Sequence, residues 1–268
     1  MFKRIKEFFK NLFCKETEVE IPVASGETPI VIETSGESGT TIVAVSGDID
    51  TPPVTVESGF KSTIKILIDN GHGNDTAGKR SPYCATGAEP EIEFYEYKWN
   101  REIAKPVVDG LIKEGYDAEL LVPEENDISL AERVRRVNAI CNELGKKKVL
   151  LISIHSNAAG TGQAWMTGKG WSVYTTKGKT DSDILAEYLY VEAKKNFSNR
   201  KIRVDLSDDD NDWEADFYIL KKTLCPAVLT ENFFYDNVDD VKYILSDEGR
   251  AAVIKTHIDG IINYIKSL

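Results

Sequence analysis

Two of the three histidines in this sequence stand just after apolar runs that are typical of buried β-strands. His72 lies four residues beyond Ile64–Ile68, and His155 directly follows Val149–Ile154. Imidazole is the commonest metal ligand in proteins, and catalytic zinc sites use three protein ligands plus water. Either histidine alone would more often be structural. Their joint placement favours a metal site, with a third, oxygen ligand supplied from the region between them.

The elements that must position these histidines alternate between strand and helix patterns from about Lys61 onward. Buried strands are predicted at Ile64–Ile68, Trp171–Thr175, Val149–Ile154, Phe217–Leu220 and Ala227–Leu229. Helical spacing of apolar residues is found at 94–112, 130–144, 184–197 and 253–265. This alternation predicts an α/β fold, a mainly parallel twisted sheet with helices on both faces. Ligand sites in such sheets lie at the carboxyl ends of the strands, where both histidines are expected.

Composition divides the chain into three predicted regions. Residues 1–15 hold phenylalanines and other apolar residues at helical spacing, with lysines between them. This pattern predicts a basic amphipathic helix for an anionic membrane surface, or alternatively one docked on a partner or on the domain itself. Residues 16–60 hold nine acidic residues and no Lys or Arg. This composition favours a largely extended linker over a small β-module. Residues 61–268 form the predicted α/β domain.

Overall composition excludes several classes of protein. The net charge is −11, and a nucleic-acid-binding protein would usually carry a basic surface. The four cysteines are scattered without a CxxC pair, so neither a cysteine-rich zinc site nor a disulfide scaffold is indicated. No apolar run approaches the roughly 20 residues of a membrane-spanning helix. Lysines interrupt the apolar runs near the start, so no cleavable signal peptide is seen.

Four segments, in order, resemble the type 3 N-acetylmuramoyl-L-alanine amidases. Ile68–Gly73, read as IDNGHG, resembles the family's opening DPGHGG signature, with Asn70 in place of proline. Ile152–Ala158, read as ISIHSNA, resembles its second histidine signature, and Ser129–Arg133 with Asn138 resembles its SLxxR helix. Leu220–Glu231, read as LKKTLCPAVLTE, resembles the segment that ends in a catalytic glutamate. Each match is weak alone, and their order over three quarters of the chain makes them specific together.

The resemblance implies one zinc ion held by His72, Glu96 and His155. Glu96 fits the family spacing because Asn100 follows four residues later and an aliphatic–alanine pair follows that. Glu93, one turn earlier, is the alternative ligand. The resemblance also implies that Glu231 is the catalytic acid–base, taking a proton from water and passing it to the leaving amine. His257, near the C-terminus, is predicted to be structural.

The function implied is hydrolysis of the amide between N-acetylmuramic acid and L-alanine in peptidoglycan, by a phage or prophage lysin or by a wall-remodelling enzyme. The alternatives are a zinc peptidase that cuts the peptide stem and a catalytically inactive wall-binding module. We expect a monomer that is cytoplasmic or associated with the inner membrane until its release to the cell wall. Two polar loops, Asp75–Pro90 and Asp205–Glu214, either rim a substrate groove or are plain solvated loops.

Overall fold

A computed structural model describes residues 60–268 apart from residue 208, together with 41–42 and 55–56. The chain divides into two units between Gly59 and Phe60. In the first unit, Thr41–Ile42 (β1) and Thr55–Val56 (β2) form an antiparallel pair. The helix predicted over 1–15 and most of the linker predicted over 16–60 lie outside the described residues. Both therefore stay predictions.

A six-stranded sheet forms the centre of the second unit. Its strands are Lys65–Asn70 (β3), Asp117–Leu120 (β4), Val149–Asn157 (β5), Ser172–Thr175 (β6), Trp213–Glu214 (β7) and Ala227–Phe234 (β8). The spatial order is β4-β3-β5-β8-β6-β7. The first four strands in that order are parallel, β6 is antiparallel to β8, and β7 is parallel to β6. The predicted mainly parallel α/β fold is confirmed.

The helices of this unit connect the strands and cover the sheet. They are Pro82–Thr86 (α1), Glu96–Lys113 (α2), Leu130–Leu144 (α3), Asp181–Asn196 (α4), Tyr218–Lys222 (α5), Val238–Leu245 (α6) and Asp247–Ser267 (α7), with a 3-10 turn at Lys146–Lys148. Within the part of the chain that the structure describes, none of them is long and apolar enough to span a bilayer.

Side chains of the central strands alternate between two apolar layers, one on each face of the sheet. Ile66 and Ile68 of β3 pack into the larger layer with α2, α4, α6 and α7. Leu67 of β3, Leu151 of β5 and Leu229 of β8 pack into the smaller layer with α3 and α5. Successive strand residues point to opposite faces, so a strand buried on both faces must be apolar throughout. Burying each of these side chains contributes about 1.5–3 kcal/mol.

The strand predicted at Phe217–Leu220 is wrong, because this run begins the short helix α5. Ile219 and Leu220 are buried side by side, whereas Phe217 and Tyr218 are exposed. A strand would have alternated between buried and exposed positions. The sequence did not reveal this, because a four-residue apolar run is too short to distinguish a strand from a helix. The loop predicted at Asp75–Pro90 likewise contains the short helix α1.

Arg133 on α3 connects the smaller layer to the carboxyl ends of β3 and β5. Its buried guanidinium forms ion pairs with Asp69 and, at 3.0 Å, with Asp127. The Ser153 hydroxyl on β5 donates to the other Asp69 oxygen at 2.5 Å, and Arg133 Nη2 donates to the carbonyl of His72 at 3.3 Å. A buried charge is tolerated only when it is paired and hydrogen-bonded. This network therefore fixes two strand ends relative to α3.

We expect Arg133→Met to lower the free energy of unfolding by about 3–5 kcal/mol, because the Asp69 charge would stay buried without its partner. Urea denaturation of the full chain measures this loss. Arg135→Met is the matched control, since Arg135 lies on the same helix and its ion pair with Glu132 is exposed to solvent. Equal and small losses in the two variants would contradict the anchoring role of Arg133.

Candidate active site

His72, Glu96 and His155 meet at the carboxyl ends of β3 and β5, and one ligand atom from each lies within 4.8 Å of the others. Glu96 Oε1 is 3.1 Å from His155 Nδ1, and Glu96 Oε2 is 3.3 Å from His72 Nε2. The two imidazole rings stand at 89° with their centroids 4.9 Å apart. Two imidazoles and one carboxylate are a donor set that zinc uses in catalytic sites.

The burial of Glu96 tests whether these residues suit a cation. Its side chain is 1% exposed, and its Oε2 atom has no hydrogen-bond partner. Burial opposes ionisation of Glu96, yet the hydrogen bond with His155 and the nearby His72 imidazole hold its pKa below the ordinary value. Burial also works against protonation of His155, but the hydrogen bond and charge of Glu96 raise the pKa of that imidazole. A buried carboxylate that has one oxygen without a hydrogen-bond donor, and that lies beside two imidazoles, is suited to bind a divalent metal ion.

The loop after β3 is shaped to bring His72 to the other two residues. His72 has φ +68°, a left-handed conformation that costs a non-glycine residue about 1–3 kcal/mol. Gly71 lies against the His155 ring, and a Cβ added there would be 2.0 Å from Cε1 of that ring. Asn100 on α2 donates from Nδ2 to the Gly71 carbonyl at 3.0 Å. Asn100, one turn after Glu96, thus ties the helix that carries one candidate ligand to the loop that carries another.

Glu231 lies directly opposite His155 in the parallel pairing of β5 and β8. The register shifts just beyond this pair, where β8 contains an extra residue and Phe233 has φ +66°. Asn232 spans the irregularity by donating from Nδ2 to the His155 carbonyl at 2.9 Å. A bulge of this kind ends regular pairing and redirects side chains. It leaves Glu231 near the carboxyl end of β8, beside the cluster of His72, Glu96 and His155.

The two carboxyl groups of the site have opposite electrostatic surroundings. Burial raises the pKa of Glu231 to about 7, and the negative charge of Glu96 also raises it, against the positive charge of His155. Glu231 Oε2 is buried and has no hydrogen-bond partner. A carboxyl group with a pKa near neutrality suits proton transfer, whereas the ionised Glu96 suits metal binding.

A cleft of about 370 Å³ opens onto these residues. It is lined by Asp69, Gly71, His72, Lys79, Asp127, Ile128, Ser129, Leu130, Arg133, His155, Phe217, Tyr218, Ile219, Leu229 and Glu231. The exposed side chains of Leu130, Phe217 and Tyr218 give one wall an apolar surface. Of the two polar loops considered in the sequence, Asp75–Pro90 contributes Lys79 to this lining. The loop Asp205–Glu214 contributes none of the lining residues.

The alternative residues raised by the sequence lie elsewhere. Glu93 is exposed to solvent and is not part of the cluster. His257 is fully buried on α7, where its Nδ1 contacts the Val253 carbonyl at 2.8 Å and its Nε2 contacts the Thr230 hydroxyl at 2.9 Å. Burial lowers the pKa of His257 to about 4, so it is neutral and Nδ1 must be the donor to the carbonyl. This placement agrees with the structural role predicted for His257.

Sequence reasoning did not assign a role to several residues that support the site. Arg133 and Asn100 stood inside the quoted motifs, so the motifs could have identified them as supports. Asn232 and Lys79 carried no such signal, because their importance depends on the bulge in β8 and on the path of the loop after His72.

Comparisons with known proteins give one consistent result. Residues 66–263 match the model of a family described as N-acetylmuramoyl-L-alanine amidase. An endolysin of Bacillus phage SPP1 is 28% identical over 202 residues, which are 73% of this chain and 64% of the endolysin. The amidase CwlM of Bacillus licheniformis is 26% identical over 74% of this chain and 67% of its own length. This chain therefore spans about two thirds of the length of these curated relatives.

Solved structures share the fold. An N-acetylmuramoyl-L-alanine amidase from Clostridium difficile 630 superposes with a TM-score of 0.62 at 23% identity, over 77% of this chain and 99% of the other. The amidase AmiC2 of Nostoc punctiforme superposes with a TM-score of 0.60 at 22% identity, over 78% and 99%.

We expect Glu96→Gln to weaken zinc binding by more than about 100-fold. Removing a residue that only hydrogen-bonds to a metal ligand already lowers metal affinity by about 10–100-fold. Competition with a fluorescent zinc chelator measures the affinity of the full chain. Glu93→Gln is the matched control and should bind zinc like the parent chain. Loss of affinity in Glu93→Gln with retention in Glu96→Gln would reverse the choice between the two glutamates.

Proposed function

Because this chain belongs to the N-acetylmuramoyl-L-alanine amidase family, we propose that it hydrolyses the amide bond between N-acetylmuramic acid and L-alanine in peptidoglycan. The observation that carries the proposal is the placement of Glu231 opposite His155, beside the cluster of His72, Glu96 and His155. An amide is a poor electrophile with a poor leaving group. Its hydrolysis needs a polarised carbonyl, an activated water and a proton for the departing nitrogen.

In this proposal His72, Glu96 and His155 hold one zinc ion. Zinc supplies Lewis-acid polarisation of the scissile carbonyl and lowers the pKa of water towards about 7. The protein contributes a rigid set of donors, since Asn100 and Arg133 both bind the loop around His72. The Ser156 backbone amide, which donates to Glu96 Oε1 at 3.1 Å, holds the carboxylate in place.

Glu231 moves the proton in this proposal. Its carboxylate takes a proton from the attacking water, and its carboxylic acid then gives that proton to the nitrogen of the leaving L-alanine. Burial disfavours the ionised form of Glu231, which makes its carboxylate a better acceptor for the proton of the water. One of its oxygens, Oε2, is buried and so out of contact with bulk water.

We propose a phage or prophage lysin as the biological role, with cell-wall remodelling as the other possibility within the same chemistry. The endolysin of Bacillus phage SPP1 and the amidase CwlM are both relatives of this chain, so similarity alone does not separate the two roles. The membrane-surface helix, the monomeric state, the absence of a nucleic-acid partner and the location before release stay predictions.

We expect the zinc-loaded full chain to release stem peptides with a free N-terminal L-alanine from purified peptidoglycan, as read by mass spectrometry. Chelation should abolish release and added zinc should restore it. Glu231→Gln should lower the rate by about 10²–10⁴-fold without weakening zinc binding, because it removes proton transfer and keeps the side chain's size.

Products cut within the peptide stem would move the assignment to a zinc peptidase. Binding of peptidoglycan without any cleavage by the zinc-loaded chain would favour a wall-binding module. Loss of zinc together with loss of activity in Glu231→Gln would show that Glu231 acts as a ligand instead of a proton carrier.

A further inference from the structure

Arg203 lies near the carboxyl ends of the parallel strands, where the candidate active site also lies. Because β6 runs antiparallel to β8, its first residue, Ser172, stands opposite Glu231. Trp171 comes just before it, and the Trp171 carbonyl accepts a 2.8 Å hydrogen bond from the Arg203 backbone amide.

The guanidinium of Arg203 lies against two aromatic rings. Its Cζ lies 4.9 Å from the centroid of Trp213 and 5.1 Å from that of Phe234. Phe234 is buried at the end of β8, and Trp213 belongs to the edge strand β7. Stacking fixes the plane of a guanidinium and leaves its N–H groups free to donate.

Arg203 forms no ion pair with any residue that the structure describes, although acidic residues follow it closely in the sequence. Three of these acids have other partners: Asp205 accepts from the Ser207 amide, Asp212 from the Thr175 hydroxyl, and Glu214 from the Gly178 amide. By contrast, Arg133, Arg136 and Arg250 all pair with carboxylates. A half-buried guanidinium near the carboxyl ends of the strands, without an ion-pair partner among the described residues, is suited to a bidentate contact with a carboxylate from a ligand.

We propose that Arg203 binds a carboxylate of the substrate's peptide stem, and thereby selects stems that carry this charge. This inference rests on the proposed amidase function. The stem begins at the L-alanine whose nitrogen Glu231 protonates, and its free carboxylates lie further along the peptide. Arg203 is not among the residues that line the cleft around Glu231, so in this proposal it contacts the peptide past L-alanine and takes no part in bond breaking.

The test compares two soluble substrates with the zinc-loaded full chain: disaccharide-tetrapeptide released from peptidoglycan by a muramidase, and the same material with its carboxylates converted to carboxamides. We expect the parent enzyme to prefer the carboxylate form. Arg203→Met should raise KM for that form by about 10- to 100-fold, the usual range for a lost charge-assisted hydrogen bond, and leave kcat nearly unchanged. KM for the amidated form should stay within about twofold, and Arg203→Lys should recover only part of the loss.

Arg200→Met is the matched control, because the Arg200 guanidinium is also stacked, 4.0 Å from the Tyr243 centroid, and borders a different cleft. It should leave both KM values unchanged. Equal KM changes for the two substrates in Arg203→Met, or no preference in the parent enzyme, would overturn the role of Arg203 while leaving the amidase function intact. Failure of the zinc-loaded parent enzyme to cleave either substrate would overturn the amidase function itself, and the inference with it.

Discussion

Burial of the Glu96 charge is the constraint on which the rest of this site depends. Removing a carboxylate from water is tolerated only when positive charge and hydrogen-bond donors replace the solvent. His155, His72 and the Ser156 amide provide part of that replacement, and one carboxylate oxygen keeps no hydrogen bond. A divalent cation between the imidazoles would complete it, so the energetic requirement and the proposed chemistry point to the same position.

The fold meets this requirement by bringing three separate elements to one edge of the sheet. β3 and β5 end side by side, and α2 begins with Glu96 directly above them. The surrounding polar groups hold the backbone there in conformations that it would not otherwise favour, including the left-handed φ of His72. At the same edge the pKa of Glu231 is raised by burial, whereas the neighbouring imidazoles lower the pKa of Glu96. Two glutamates a short distance apart can therefore serve as ligand and proton carrier.

The sequence predicted the parts of this arrangement that depend on local pattern. Apolar strands followed by His72 and His155 predicted a sheet edge with a metal site, and the motif spacing selected Glu96, which the structure places beside both histidines. The short run at Phe217–Leu220 was misassigned, because four apolar residues carry no periodicity. Arg203 gave no signal at all. Its closeness to Glu231 follows from the reversed direction of β6, which local pattern does not encode.

The most direct test of the account is a crystal of the full chain grown with zinc and measured at the zinc absorption edge. We predict one anomalous peak bounded by His72, Glu96 and His155, about 2.0–2.2 Å from the nearest donor atom of each. A peak held by other residues, or no peak despite saturating zinc, would contradict the claim that the buried charge of Glu96 exists to bind a metal.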